Sequence, residues 1–287
     1  MTTIKGPKIG IALGGGSSRG LMHISFVEAM DEMGLRPSVI AGTSIGSLVG
    51  AGWAAGLKGS EIREHSLSVL GSMRSITSRL WKTQIKDLRN LFKNGISMQL
   101  DSFEIVKAFL PPDFPKEFKD LRTPLYIIAT DFRSWHQVVF HDGEIIPAIA
   151  GSIAIPSLFK PVKFDGRLLV DGGVVNPLPL DSASIGTDLT IAIDVNGDPS
   201  NRTSVKDPST IDVTLGSAQI MMHSLTAHNI AAYPPDLYIR PNVKEFGAYE
   251  FWRVREILEE SDKEKDNFKR QLSQLIEDFI VSSQKIV

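Results

Sequence analysis

The segment 38–52 constrains the fold most, because it combines an apolar run, a sharp corner at Ser44 and a run of small residues. The apolar run is typical of a buried strand, and the small residues are typical of a helix that packs closely on a sheet. A serine on such a corner adopts a strained backbone conformation and needs small neighbours two residues away. Gly42 and Gly46 meet that need. The segment therefore predicts an α/β fold with Ser44 as a candidate nucleophile.

Length and composition exclude several classes of protein. The chain has 287 residues, of which 42% are hydrophobic, so it can bury the core of one large domain. Its net charge of -2 comes without a basic stripe, which argues against a nucleic-acid partner. The absence of cysteine excludes disulfides, thiolate metal sites and a cysteine nucleophile. The sequence shows neither the apolar core of a signal peptide nor a membrane-spanning run, so we predict a cytoplasmic protein that makes at most transient contact with a membrane surface.

A second signal is the glycine-rich loop 14–20, which follows an apolar strand at 8–13 and precedes a helix. Glycine permits unusual dihedral angles, so several backbone N–H groups of such a loop can point at one oxygen. The loop lacks the residue spacing of phosphate-binding and dinucleotide-binding loops. We therefore predict an oxyanion hole. Two interpretations of Arg19 are open: its side chain forms a salt bridge that holds the loop, or it lies near a charge on the substrate.

The rest of the chain alternates strands with helices, which favours a three-layer α/β/α fold around a mostly parallel sheet. We predict a catalytic domain at 5–198 that contains a helical excursion at 57–120. A helical extension at 199–287 is predicted to pack on the same domain, with packing on a second subunit as the alternative. Further strands are predicted at 124–130, 137–141, 167–173 and 189–194, and further helices at 60–70, 84–92, 102–110, 144–152 and 210–228.

Asp171 is the candidate general base, because it follows an apolar strand and precedes Gly172 and Gly173. A carboxylate at such a place is costly to bury unless it has a partner, and Ser44 would supply one. The alternative is an aspartate that only caps a turn. His223 and His228 follow Asp171 in the order of a hydrolase triad, but both fall in a helical pattern, so we predict packing or surface roles for them. No metal-ligand spacing is present, and we predict neither a metal nor another cofactor.

Four motifs occur in a characteristic order and together resemble one family. They are LGGGSSRG at 13–20, GTSIG at 42–46, AGSIAIP at 150–156 with FKP at 159–161, and DGG at 171–173 with NP at 176–177. This order resembles the patatin-like phospholipases, and more narrowly the bacterial branch related to the neuropathy target esterase catalytic domain. The resemblance covers about 8–194 and does not reach the tail.

The resemblance implies a Ser-Asp dyad in place of a triad and hydrolysis of lipid acyl esters. It implies that Ser44 is the nucleophile and Asp171 the base. The amides of Gly14, Gly15, Gly16 and Ser17 would form the oxyanion hole, although Ser17 stands where the family has a third glycine when the loops are aligned on Arg19. The predicted supporting residues are Arg19, Gly20, Gly42, Gly46, Gly172 and Gly173.

We therefore expect a serine acyl hydrolase that acts on a lipid acyl ester. Two alternatives use the same scaffold. One is an acyltransferase or thioesterase, and the other is a regulatory protein that retains the hydrolase fold without catalysis.

Overall fold

The computed structural model describes residues 6–70, 100–197, 210–247 and 250–284. Within these residues, eight strands form one mixed sheet in the order β5-β6-β3-β2-β1-β7-β8, with β4 paired to β3 outside this path. The strands are β1 (Ile9–Leu13), β2 (Val39–Thr43), β3 (Leu125–Asp131), β4 (His136–Phe140), β5 (Val162–Phe164), β6 (Arg167–Asp171), β7 (Leu189–Ile193) and β8 (Leu237–Ile239).

Helices cover both faces of this sheet. The α-helices are α1 (His23–Glu32), α2 (Ile45–Ala54), α3 (59–70), α4 (Ser102–Phe109), α5 (Ile145–Ser152), α6 (Leu180–Ala183), α7 (Thr210–Ala232), α8 (Val254–Asp262) and α9 (Lys265–Gln284). Short 3-10 helices occur at Ser17–Met22, Phe118–Asp120, Gly172–Val174 and Phe251–Arg253.

The two faces of the sheet bury side chains of different size. On one face, large residues such as Ile11 pack in one cluster with α1, α2, α5, α8 and α9. On the other face, Ala12 and Ala41 pack against Leu180 of α6, and Ile230 of α7 lies against the same cluster. Because successive strand residues face opposite sides, the run 9–13 serves both layers. The predicted three-layer α/β/α fold is confirmed.

The pairing of β2 and β6 with β3 determines where the carboxyl ends of these two strands meet. β2 pairs with 125–128 of β3 in parallel, and β4 pairs with 127–131 in antiparallel register. Because these pairings overlap, β2 and β4 lie on opposite edges of β3. β6 pairs with 129–131, which β4 also contacts, so β6 lies on the same edge as β2.

The carboxyl ends of β2 and β6 therefore meet head to head. Thr43 is opposite Ile128 of β3, and Asp171 is opposite the next residue, Ala129. Residues far apart in sequence are thus brought to one point along β3. The antiparallel direction of β6 within the mostly parallel sheet explains this arrangement, since it is required for the two carboxyl ends to face each other.

Some elements differ from the sequence prediction. The helices predicted at 60–70 and 102–110 are present as α3 and α4, whereas the helix predicted at 84–92 lies outside the described residues. The strands β5 and β8 were not predicted, because runs of three residues carry too little of an alternating pattern. The predicted domain boundaries stay predictions.

The helices of the C-terminal extension contact α1. Phe268 of α9 is 1% exposed, and its ring meets that of Phe26 edge to face with centroids 5.3 Å apart. Arg63 donates hydrogen bonds to both Glu28 of α1 and Asp262 of α8. These contacts support packing of the extension on the same domain.

We expect Phe268→Ala to lower the free energy of unfolding by about 3–5 kcal/mol, because it removes a buried aromatic side chain and leaves a cavity. Urea unfolding followed by circular dichroism measures the change. Val281→Ala, at a side chain of α9 that is 50% exposed, is the control and should change stability by less than about 0.5 kcal/mol. An unchanged midpoint for Phe268→Ala would contradict packing of α9 on the catalytic domain.

Candidate active site

Ser44 lies at the corner between β2 and α2, the position predicted from the sequence. Its backbone has φ 53° and ψ −127°, a left-handed conformation that is strained for a serine. A Cβ atom on Gly42 would lie 2.6 Å from the Gly46 carbonyl oxygen, and one on Gly46 would lie 2.2 Å from the Leu13 carbonyl oxygen. Both glycines are therefore needed for the corner to close between β1, β2 and α2.

The structure brings Ser44 and Asp171 together. The Ser44 hydroxyl donates a hydrogen bond of 2.6 Å to Oδ2 of Asp171. The other carboxylate oxygen, Oδ1, accepts a 2.7 Å hydrogen bond from the Gly173 amide. Each member of the pair is 5% exposed. The distance lies within the range required for direct proton transfer from a hydroxyl to a carboxylate.

Burial raises the pKa of Asp171 from its ordinary 3.8 to about 6, although the hydrogen bonds from Ser44 and Gly173 act against this rise. Desolvation disfavours the charged carboxylate, whereas both donors favour it. The carboxylate is therefore mostly ionised at neutral pH and is a stronger base than an exposed aspartate. A base with a pKa close to the working pH is suited to accept and return a proton.

The segment 150–156 supports both members of the pair, which sequence reasoning did not foresee. The Ser44 amide donates to Oγ of Ser152 at 2.9 Å, and the Asp171 amide donates to the Ala154 carbonyl at 2.9 Å. Thr130 also donates to the Asp171 carbonyl at 2.9 Å. The motif AGSIAIP was the available signal, but nothing in the sequence indicated which of its atoms would contact the pair.

The amides of the glycine loop divide into two groups. The Gly14 amide donates to the Ile193 carbonyl at 3.0 Å, and the Gly15 amide donates to the Pro177 carbonyl at 2.9 Å. The prediction that these two amides are available oxyanion donors is therefore wrong: both N–H groups are used to attach the loop to the sheet and to the segment after Asp171. In the described part of the chain, the amides of Gly16 and Ser17 have no hydrogen-bond partner.

Ser17 adopts a backbone conformation that favours glycine. Its φ is 54°, a backbone conformation that glycine adopts most easily. This agrees with the third glycine that the family resembled by this sequence has at the same place. A Cβ atom on Gly16 would lie 2.5 Å from the Val195 carbonyl oxygen, so this position requires glycine for a different reason, close approach of the backbone. The loop passes beside Ser44, because a Cβ atom on Gly15 would lie 3.5 Å from that of Ser44.

Two buried nitrogen-bearing side chains fix the loop through hydrogen bonds to backbone carbonyls. His23 Nε2 donates to the Gly14 carbonyl at 2.8 Å, and burial lowers the pKa of His23 to about 4, so the ring is neutral at physiological pH. Arg19 is 6% exposed and donates to the Asn196 carbonyl at 2.5 Å. This contact favours the loop-holding interpretation of Arg19, here through a backbone carbonyl.

The remaining predicted glycines mark close contacts around the pair. A Cβ atom on Gly20 would lie 1.8 Å from Cγ2 of Ile45. A Cβ atom on Gly172 would lie 2.2 Å from the Ile128 carbonyl oxygen. On Gly173 it would lie 2.8 Å from Cε of Met222, a residue of α7. Sequence reasoning missed Met222, which lies over the turn that follows Asp171.

Other candidate groups are not assembled around the pair. Among the hydrogen bonds of the described residues, none joins a histidine to Ser44 or Asp171; His228 instead contacts the Ser224 carbonyl of its own helix at 2.7 Å. The described ranges also contain no group of three side chains that could hold a metal ion. None of their helices has the length and apolarity required to cross a bilayer.

Comparison with known proteins places the chain in a family. A family model described as patatin-like phospholipase matches residues 11–184, a range that includes both Ser44 and Asp171. The chain is 35% identical over 194 residues to an uncharacterized NTE family protein of Mycobacterium tuberculosis, an alignment that covers 67% of this chain and 50% of that protein. It is 31% identical over 195 residues to human patatin-like phospholipase domain-containing protein 6, covering 67% of this chain and 14% of the human protein.

Two further similarities extend over more of the chain. The lysophospholipase NTE1 of Pyricularia oryzae is 28% identical over 285 residues, which cover 88% of this chain and 18% of the fungal protein. The solved structure of VipD from Legionella pneumophila matches with a TM-score of 0.49 at 14% identity, covering 93% of this chain and 67% of VipD. The chain thus spans half or less of the length of each of these three relatives. With the family model matched over more than half of its residues, the chain belongs to the patatin-like phospholipase family.

Proposed function

We propose that the protein hydrolyses acyl esters of phospholipids or lysophospholipids, with Ser44 as nucleophile and Asp171 as general base. The observation that carries this proposal is the buried 2.6 Å hydrogen bond from the Ser44 hydroxyl to the Asp171 carboxylate. The ester substrate class comes from the family and from the fungal relative named as a lysophospholipase.

The first half of the proposed reaction forms an acyl-enzyme. Asp171 takes the Ser44 proton while Oγ bonds to the ester carbonyl carbon, which places a negative charge on the carbonyl oxygen. The amides of Gly16 and Ser17 donate to that oxygen. The ester C–O bond then breaks, and the proton on Asp171 passes to the leaving alkoxide.

The second half uses water in place of the Ser44 hydroxyl. Asp171 takes a proton from water as the hydroxide bonds to the acyl carbon, and the released Ser44 oxygen recovers the proton when the fatty acid leaves. Asp171 therefore ends each half-reaction ionised, as its pKa of about 6 allows at neutral pH. No imidazole is needed, because the serine hydroxyl already contacts the carboxylate.

The first test removes each member of the pair. We expect Ser44→Ala and Asp171→Asn to lower hydrolysis of p-nitrophenyl butyrate by about 10⁴-fold or more, since neither half of a dyad acts alone. His223→Ala and His228→Ala should keep the activity and serve as controls. A large loss in either histidine variant would favour a triad.

The same variants separate hydrolysis from the two alternatives. A fluorophosphonate probe should label the wild type and not Ser44→Ala. An unlabelled wild type would indicate a regulatory protein with an inactive serine. If an added alcohol or thiol acceptor takes most of the acyl group, the protein is an acyltransferase instead.

The pKa of Asp171 predicts the pH dependence. Because the base must be ionised to accept a proton, kcat/KM should fall about tenfold per pH unit below about 6 and level off above it. Initial rates on p-nitrophenyl butyrate, with folding checked by circular dichroism at each pH, measure this. A profile that stays flat down to about pH 4.5 would exclude an aspartate of this pKa as the base.

Ser152 should act as a positioning residue. Ser152→Ala removes the acceptor of the Ser44 amide and frees the strained corner, so kcat should fall about 10-fold to 100-fold with KM nearly unchanged. Ser182→Ala, at a serine that is likewise buried, is the matched control and should keep kcat. Equal kcat values for the wild type and Ser152→Ala would contradict a positioning role.

A further inference from the structure

The outer face of α7 is unusual for a surface helix. Its 23 residues include only one with a charged side chain, Asp212. Val213, Ile220 and Met221 are 52%, 64% and 60% exposed. With spacings of seven and eight residues they share one face of the helix. A surface helix of a globular protein normally turns such side chains towards the core.

Polar side chains on the inner face of α7 fix this orientation. Gln219 donates to the Asn196 carbonyl at 2.8 Å, and Asn229 donates to Oδ1 of Asn176 at 2.8 Å. Thr226 is 3% exposed. A rotation of the helix that buried the apolar face would break these hydrogen bonds and bring the polar side chains into water. The outward position of the apolar face is therefore built into the fold.

The inner face of α7 also covers the candidate active site. Met222 lies within 2.8 Å of the position that a Cβ atom would take on Gly173, and within 3.8 Å of that on Gly15. Val174, which ends the turn after Asp171, is 48% exposed. Apolar side chains of α7 thus lie both beside the turn that follows Asp171 and on the exposed outer face of the same helix.

We infer that α7 lies on the surface of a phospholipid layer with Val213, Ile220 and Met221 in its acyl region, an inference that rests on the proposed lipid substrate. The position of the helix beside the pair favours lipid over a second copy of the chain, because a water-insoluble ester would then enter next to Ser44. The helix carries no lysine or arginine, so the attraction is apolar and needs no anionic head group.

The absence of lysine and arginine from α7 predicts how membrane binding depends on salt. Binding that depends on basic residues weakens in salt, whereas binding that depends on buried apolar area does not. We therefore expect the protein to bind vesicles of pure phosphatidylcholine equally well at low and high sodium chloride. Binding that requires anionic lipid or disappears in salt would overturn the inference.

The experiment compares two double variants. Ile220→Ser with Met221→Ser changes the outer face of α7, and Ile185→Ser with Val281→Ser changes two side chains of similar exposure elsewhere, 52% and 50%. Vesicle flotation, in a Ser44→Ala background that leaves the lipid intact, should show at least about tenfold weaker binding for the α7 variant and unchanged binding for the control variant.

Activity then separates this inference from the proposed function. With Ser44 restored, the α7 variant should hydrolyse vesicle lipid about tenfold more slowly and water-soluble p-nitrophenyl butyrate at a rate within about twofold of the wild type. Unchanged flotation of the α7 variant would overturn the inference, as would a wild-type dimer that this variant converts to monomers. If the wild type hydrolyses neither ester, the proposed function fails, while flotation still decides the docking of α7.

Discussion

The head-to-head meeting of β2 and β6 on one edge of β3 is the constraint on which the site depends. A carboxylate and a hydroxyl 127 positions apart reach 2.6 Å because their strands end opposite consecutive residues of β3. A fully parallel sheet would place both strand ends on one side without directing them at each other. The reversal of β6 is therefore as much a part of the site as the two side chains.

Holding this pair costs stability, and the surrounding hydrogen bonds offset the cost. Ser44 has a left-handed backbone, and Asp171 is a buried carboxylate whose pKa is raised to about 6. The acceptors that fix their amides come from one segment, Ser152 and Ala154. A single short element thus binds the backbone of both groups, which accounts for a sequence motif whose own side chains include no acid or base.

Much of this arrangement could be predicted from sequence because it is encoded locally. The corner at Ser44 and the strand before Asp171 are contiguous patterns, and their glycines report close approach of backbone. The state of the Gly14 and Gly15 amides could not be predicted, since it depends on carbonyls of Ile193 and Pro177 that only the folded sheet brings near. Long-range pairing likewise decides the three-residue strands β5 and β8.

The orientation of α7 could not be predicted from the sequence for a different reason. All of its polar residues except Asp212 lack a charged side chain, and its apolar residues occur on every side, so the sequence does not reveal which face is buried. The choice is made by the amides of Gln219 and Asn229, which find carbonyl and amide acceptors at the ends of other elements. Once those bonds are made, Met222 must lie over the Ser44–Asp171 pair and Ile220 must point outward. The covering of the pair and the exposed apolar face are thus two results of one set of hydrogen bonds.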